Sequence, residues 1–271
     1  MPGNADRGTT MKNGLLAAVA LAASVALSGA AFAEKLVVGA YPANPPWEYK
    51  TENNTFEGFE VDMVTEIAKR MGRELEISDM GFQALFAATA SQRIDLAIST
   101  ITITNDRLQN QAFTQGYYDA DIALVSVEGG ATGLADMKGK PVGVLASSSG
   151  EAWVRANEAT YGWSDIRSYP DQQGVLLDVR AGRVAGAISD LTGLIFSAQQ
   201  MPDLKIVEII STGDQYGMML PKGSPLLEEV NAAITAMKED GTMAEIYERW
   251  LGQPPAEGSA TVTVLEIPQA K

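Results

Sequence analysis

Ser99, Thr100 and Thr102 close the apolar stretch Asp95-Leu96-Ala97-Ile98, and Arg107 follows close enough to fold back over them. A guanidinium is a permanently charged planar fork that grips a carboxylate through two parallel hydrogen bonds, while hydroxyls orient the remaining polar atoms of a guest. Taken alone, the stretch also fits a capping threonine followed by a surface arginine. A second candidate is Ser147-Ser148-Ser149-Gly150-Glu151, in which Ser148 and Glu151 have capping-box spacing. The exposed N–H groups of such a helix start also favour an anion, so capping and ligand binding are compatible roles for Ser148 and Ser149. A third is Asp190, which follows the strand-like run Val184-Ala185-Gly186-Ala187-Ile188-Ser189. Open α/β sheets place ligand groups at strand ends, and an aspartate there can equally cap the next helix.

Composition removes many alternatives. The chain of 271 residues contains no histidine and no cysteine, which excludes Ser-His-Asp and Cys-His nucleophiles, thiolate zinc sites and disulfides. Any catalysis would need carboxylate, lysine or tyrosine chemistry, and no cofactor or metal site is expected. With 20 Lys+Arg against 34 Asp+Glu the net charge is −14, so nucleic acid and anionic membranes are poor partners. No Gly-rich phosphate loop occurs: Gly129-Gly130 precedes no Lys-Ser/Thr pair. The 46% hydrophobic content supports genuine cores.

The elements that must position these residues are legible from periodicity. Lys35–Tyr41 reads as a strand, Gly58–Met71 as an amphipathic helix, Glu74–Ser78 as a strand, Gly81–Ser91 as a helix and Asp95–Ser99 as a strand. After Gly129-Gly130 the pattern restarts with strand Pro141–Leu145, a helix from about Gly150, strand Ile166–Tyr169, helix Gln173–Ala181 and strand Val184–Ser189. Two α/β lobes follow, each a mainly parallel sheet flanked by helices. Ser224-Pro225 is expected to start a further helix, with Ser224 as N-cap, and Asp240-Gly241 to break it before helix Thr242–Leu251. The segment 254–271 reads as a tail, in which Ala260–Ile267 could pair as an edge strand.

At the other end, Lys12, the apolar run Leu15–Leu27 and Ala31-Phe32-Ala33 have the layout of a secretory signal cleaved after Ala33, and Met11-Lys12 could itself begin that signal. A soluble periplasmic protein is expected.

The segment Gly58–Met71, the stretch Ser99–Arg107, and the flanking Lys35–Gly39, Asp240-Gly241-Thr242 and Ile246-Tyr247-Glu248-Arg249-Trp250, taken in this order, resemble family 3 bacterial extracellular solute-binding proteins, the polar amino-acid receptors of ABC importers. The resemblance implies a type II periplasmic binding protein fold, a Venus flytrap of two lobes. Residues 34–117 and 216–253 would form lobe one and 121–211 lobe two, with crossings near Tyr117–Asp121 and Thr212–Tyr216. It implies that Arg107 with Ser99, Thr100 and Thr102 holds the ligand's α-carboxylate, helped by Ser148 and Ser149, that Asp190 holds the α-ammonium, and that Phe82 lies against the side chain.

Tyr41 stands where an acidic residue is common in that family and Asn44 where an aromatic is common, and Leu145 replaces a lysine of the glutamine-binding type. Tyr41, Asn44, Phe82 and Leu145 offer no charge to pair with, so an uncharged L-amino acid is expected to outcompete lysine, arginine and glutamate. Trp47 fits core packing. Expected partners are the free amino acid and the membrane subunits of an ABC permease, with the chain a monomer and not an enzyme. The alternatives are a cyclohexadienyl or arogenate dehydratase-like enzyme on the same fold, in which Asp190 or a nearby glutamate would act as acid or base, and a ligand-sensing partner of a membrane receptor.

Overall fold

The computed structural model describes residues 34–271, and the signal expected in residues 1–33 lies outside them. From the start the chain forms β1 (Lys35–Ala40), the short strands β2 (Ala43–Asn44), β3 (Glu48–Lys50) and β4 (Phe56–Glu57), α1 (Phe59–Arg70), β5 (Glu74–Asp79), α2 (Phe82–Ala90), β6 (Leu96–Ile98), α3 (Asn105–Asn110) and β7 (Gln111–Phe113). It continues through β8 (Tyr118–Val127), β9 (Pro141–Leu145), α4 (Ser149–Ala156), α5 (Glu158–Tyr161), β10 (Asp165–Tyr169), α6 (Gln172–Arg180), β11 (Gly186–Asp190), α7 (Leu191–Gln200) and β12 (Leu204–Tyr216). It ends with β13 (Met219–Pro221), α8 (Leu227–Glu239) and α9 (Thr242–Leu251).

Two five-stranded sheets result, ordered β5-β1-β6-β13-β7 and β10-β9-β11-β8-β12. In each, three parallel strands from βαβ units meet two antiparallel strands: β13 and β7 in the first sheet, β8 and β12 in the second. Alternation along the strands divides each lobe's core in two, because successive side chains leave a strand on opposite faces. Leu36, Val38, Ala40, Leu96 and Ile98 join one cluster with α1, α8 and α9. Val37 and Ala97 face the other cluster, with Phe82 and Leu85 of α2.

Where the chain passes between the sheets, β8 and β12 run side by side, with Tyr118 opposite Tyr216, Asp119 opposite Gln215 and Ala120 opposite Asp214. The segment after Leu251 forms no strand; Ala260–Ile267 instead lies against the first crossing. Asp119 accepts from the N–H of Ala260 at 2.9 Å, and Thr261 donates to the carbonyl of Tyr117 at 3.0 Å. The buried Lys238 ties the same region together through the carbonyls of Gly116 and Thr263.

The helix expected from Ser224 begins later, at Leu227, with Leu226 at the cap position and no side-chain cap. Ser224 Oγ accepts from the N–H of Leu226 at 3.3 Å, so the Ser-Pro pair forms a turn leading into the helix.

Gly58, before α1, is positioned by necessity. Its φ of 138° belongs to glycine alone, and a Cβ there would lie 2.1 Å from the carbonyl oxygen of Trp47. That close approach lets the N–H groups of Phe59 and Glu60 donate to the carbonyls of Pro46 and Trp47, locking α1 onto the β2–β3 segment. Gly58→Ala is expected to destabilise the fold by more than the roughly 1–3 kcal/mol of backbone strain alone. Urea unfolding measures it, and an unchanged midpoint would show that this junction relaxes freely.

Candidate ligand site

A cleft between the lobes encloses about 730 Å³, including space open to solvent. Tyr41, Asn44, Phe82, Ser99, Thr100, Thr102, Arg107, Ser148, Ser149 and Asp190 all line it. Strand ends bring most of them there: Tyr41 follows β1, Ser99 and Thr100 follow β6, and Asp190 ends β11. Leu145 lines it too, as do Gln172, Ser189, Ser197 and Tyr216, which sequence reasoning did not select. Ser189 adjoins Asp190 and could have been inferred from the strand end. Gln172 and Ser197 lie on helices whose periodicity says nothing about which lobe they face, and Tyr216 lies in a crossing segment. Trp47 is fully buried beneath the cleft, edge-on to Phe59, Tyr118 and Tyr216.

Arg107 belongs to α3, whose N-cap Thr104 accepts from the Arg107 N–H, so both the cap and the cleft roles are present. Its guanidinium donates from Nη1 to the carbonyl of Thr102 at 2.8 Å and from Nη2 to the carbonyl of Ser147 at 2.9 Å, and it stacks over Phe86 with 5.1 Å to the ring centre. Burial lowers its pKa to about 10, which leaves it cationic at neutral pH. Ser148 caps α4 by accepting from the N–H of Glu151 at 3.0 Å. Glu151 reaches back to the N–H of Ser147 at 2.6 Å, a capping box displaced by one residue.

Asp190 likewise caps α7, accepting from the N–H of Gly193 at 2.6 Å, and it accepts from the Tyr216 hydroxyl. The indole N–H of Trp47, buried and without a hydrogen-bond partner among the described residues, lies near enough to help stabilise its negative charge. Burial outweighs these donors and raises the Asp190 pKa to about 6. Of the residues lining the cleft, Arg107 and Asp190 are the two that can carry opposite charges at neutral pH, one from each lobe.

The lobes also touch directly. Thr102 Oγ1 donates to Ser149 Oγ at 3.0 Å, and Gln83 Nε2 donates to Ser147 Oγ at 3.3 Å. Two non-glycine residues flank the cleft in left-handed backbone, Thr100 at φ 46° and Ser147 at φ 64°. Each N–H is held by a glutamate side chain, Thr100 by Glu60 at 3.0 Å and Ser147 by Glu151. Such conformations persist where the surroundings over-determine them.

Residues 36–253 match the family of bacterial extracellular solute-binding proteins, family 3. The chain belongs to that family. The solute-binding protein is 31% identical over 222 residues to the L-cystine-binding protein TcyJ of Escherichia coli K12, covering 80% of this chain and 82% of that one. A solved ancestral arginine-binding protein bound to arginine superposes with a TM-score of 0.77 at 33% identity, covering 82% of this chain and all of the other. A solved ancestral arginine-binding protein bound to glutamine gives a TM-score of 0.76 at 33% identity, covering 81% of this chain and 98% of the other. Two-lobed type II periplasmic binding proteins are thus the structural neighbours of this chain, and the names of these relatives describe binding proteins rather than enzymes.

Proposed function

We propose that this protein captures a free α-amino acid in the interlobe cleft and delivers it to the membrane subunits of an ABC importer, acting as a periplasmic monomer without catalytic activity. The observation that carries this reading is the placement of one guanidinium and one carboxylate on opposite walls of a single cleft, Arg107 and Asp190. A zwitterion answers both charges: its carboxylate meets Arg107 and the α4 start at Ser148 and Ser149, and its ammonium meets Asp190. A ligand that bridges the lobes has differential affinity for the closed arrangement and shifts the population towards it.

The expected preference for uncharged side chains finds no support among relatives named for arginine, one of which also binds glutamine. The proposed ligand class is therefore an L-amino acid with a polar side chain, whether charged or not. Isothermal titration against free L-amino acids tests the function: saturable binding with one site per chain is expected. Absence of binding, or release of phenylalanine or phenylpyruvate from arogenate or prephenate, would overturn it in favour of the enzyme reading.

A further inference from the structure

Glu48 is fully buried directly behind the cleft wall and touches two of the residues that line it. Its Oε1 accepts from Ser99 Oγ at 2.8 Å and from Asn44 Nδ2 at 3.2 Å. The Asn44 amide nitrogen also donates to Thr100 Oγ1 at 3.2 Å. A side-chain amide has two N–H donors and one carbonyl acceptor. With both donors directed at Glu48 and Thr100, Asn44 is left with its carbonyl oxygen to offer. That oxygen faces lobe two, 3.8 Å from where a Cβ on Gly193 would stand, at the start of α7 beside Asp190.

We propose that Glu48 sets the side-chain selectivity of the cleft by holding the Asn44 amide with Oδ1 towards the ligand, so that side chains ending in N–H donors are admitted and carboxylate side chains are refused. This rests on the amino-acid reading of the cleft and narrows it to guanidinium, amide and similar donors. Glu48 acts as a positioning residue, since it does not itself line the cleft. Its protonation does not reverse the logic. Burial and the neighbouring Glu60 raise its pKa well above the usual range, and a protonated carboxyl still keeps one oxygen that can accept from Asn44 and Ser99. Glu60 is itself anchored by the N–H of Thr100 and the hydroxyl of Tyr117, which keeps the pair in place. An ionised carboxylate side chain on the ligand placed against Asn44 would meet an acceptor oxygen, with the carboxylate of Asp190 in the same cleft, whereas an N–H donor satisfies that oxygen.

The test is titration of L-glutamine, L-glutamate, L-arginine and L-leucine against the wild type, Glu48→Gln and Asn44→Ala. The isosteric pair glutamine and glutamate isolates polarity from shape. Wild type is expected to favour glutamine over glutamate by about tenfold or more, the order of the cost of leaving a desolvated charged group without a donor. In Glu48→Gln the new amide can donate to Asn44 Oδ1, allowing Asn44 to turn and present N–H, so the ratio should fall by about tenfold or invert. Asn44→Ala should compress the ratio as well, and it decides the matter if Glu48→Gln does not fold. If the wild type binds no amino acid, the reading of the cleft fails. If it binds but prefers glutamate or leucine to both glutamine and arginine, or if Glu48→Gln and Asn44→Ala both keep the wild-type ratio, the proposed role of Glu48 fails alone.

Discussion

Asp190→Asn is expected to weaken amino-acid binding by on the order of a hundredfold or more while leaving the fold intact. Asparagine caps a helix as well as aspartate, so the contact with the Gly193 N–H and the start of α7 should survive. What disappears is the negative charge for the ligand's ammonium. Removing one member of a buried pair costs about 3–5 kcal/mol, because the other charge stays desolvated. The same residue predicts a pH dependence. Burial puts Asp190 at about 6, and a bound ammonium would lower that value, so binding requires the carboxylate form. Affinity should be full above pH 6 and fall by roughly tenfold per unit as pH drops below it, until the lower pKa of the bound form is reached. Titrations between pH 5 and 8 check both points: the wild type should show this fall and Asp190→Asn should not. A profile shared by both proteins would assign the titration to another group.

Arg107→Lys is the second large effect. Lysine keeps the charge but not the fork, and it cannot hold the Thr102 and Ser147 carbonyls and a carboxylate at once. Binding should weaken by tenfold or more, about 1.5–3 kcal/mol for a charge-assisted hydrogen bond. The bond to Ser147 crosses between lobes, so the loss should appear largely as faster dissociation, measurable by stopped-flow. Unchanged affinity would reduce Arg107 to a packing residue over Phe86.

Much of this arrangement was legible in the sequence for physical reasons. The parallel strands β1, β6 and β11 are short buried runs whose ends point into the cleft, so Tyr41, Ser99, Thr100 and Asp190 stood out as candidates by position, and the family resemblance chose the ligand role over the cap role. Arg107 and Ser148 carried local cap signals that remain true in the fold. The long antiparallel strands were not legible. The pairing of β12 with β8 shifts register between Ile206 and Glu208 and between Ile210 and Asp214, which breaks the two-residue period. The segment Pro45–Lys50 is too short and irregular for any period, so nothing marked Glu48 as buried. Ser224-Pro225 misled because a good cap sequence served a turn instead.

The most direct measurement is a calorimetric comparison of the tightest-binding L-amino acid with its carboxamide and its N-acetyl derivative. Each derivative keeps the side chain and removes one charge of the zwitterion. Strong binding of the free amino acid is expected, with a loss of at least about tenfold for each derivative, Arg107→Lys making little further difference to the carboxamide and Asp190→Asn little to the N-acetyl form. Equal binding of all three compounds would contradict it, since the cleft would then be recognising the side chain without the Arg107–Asp190 grip.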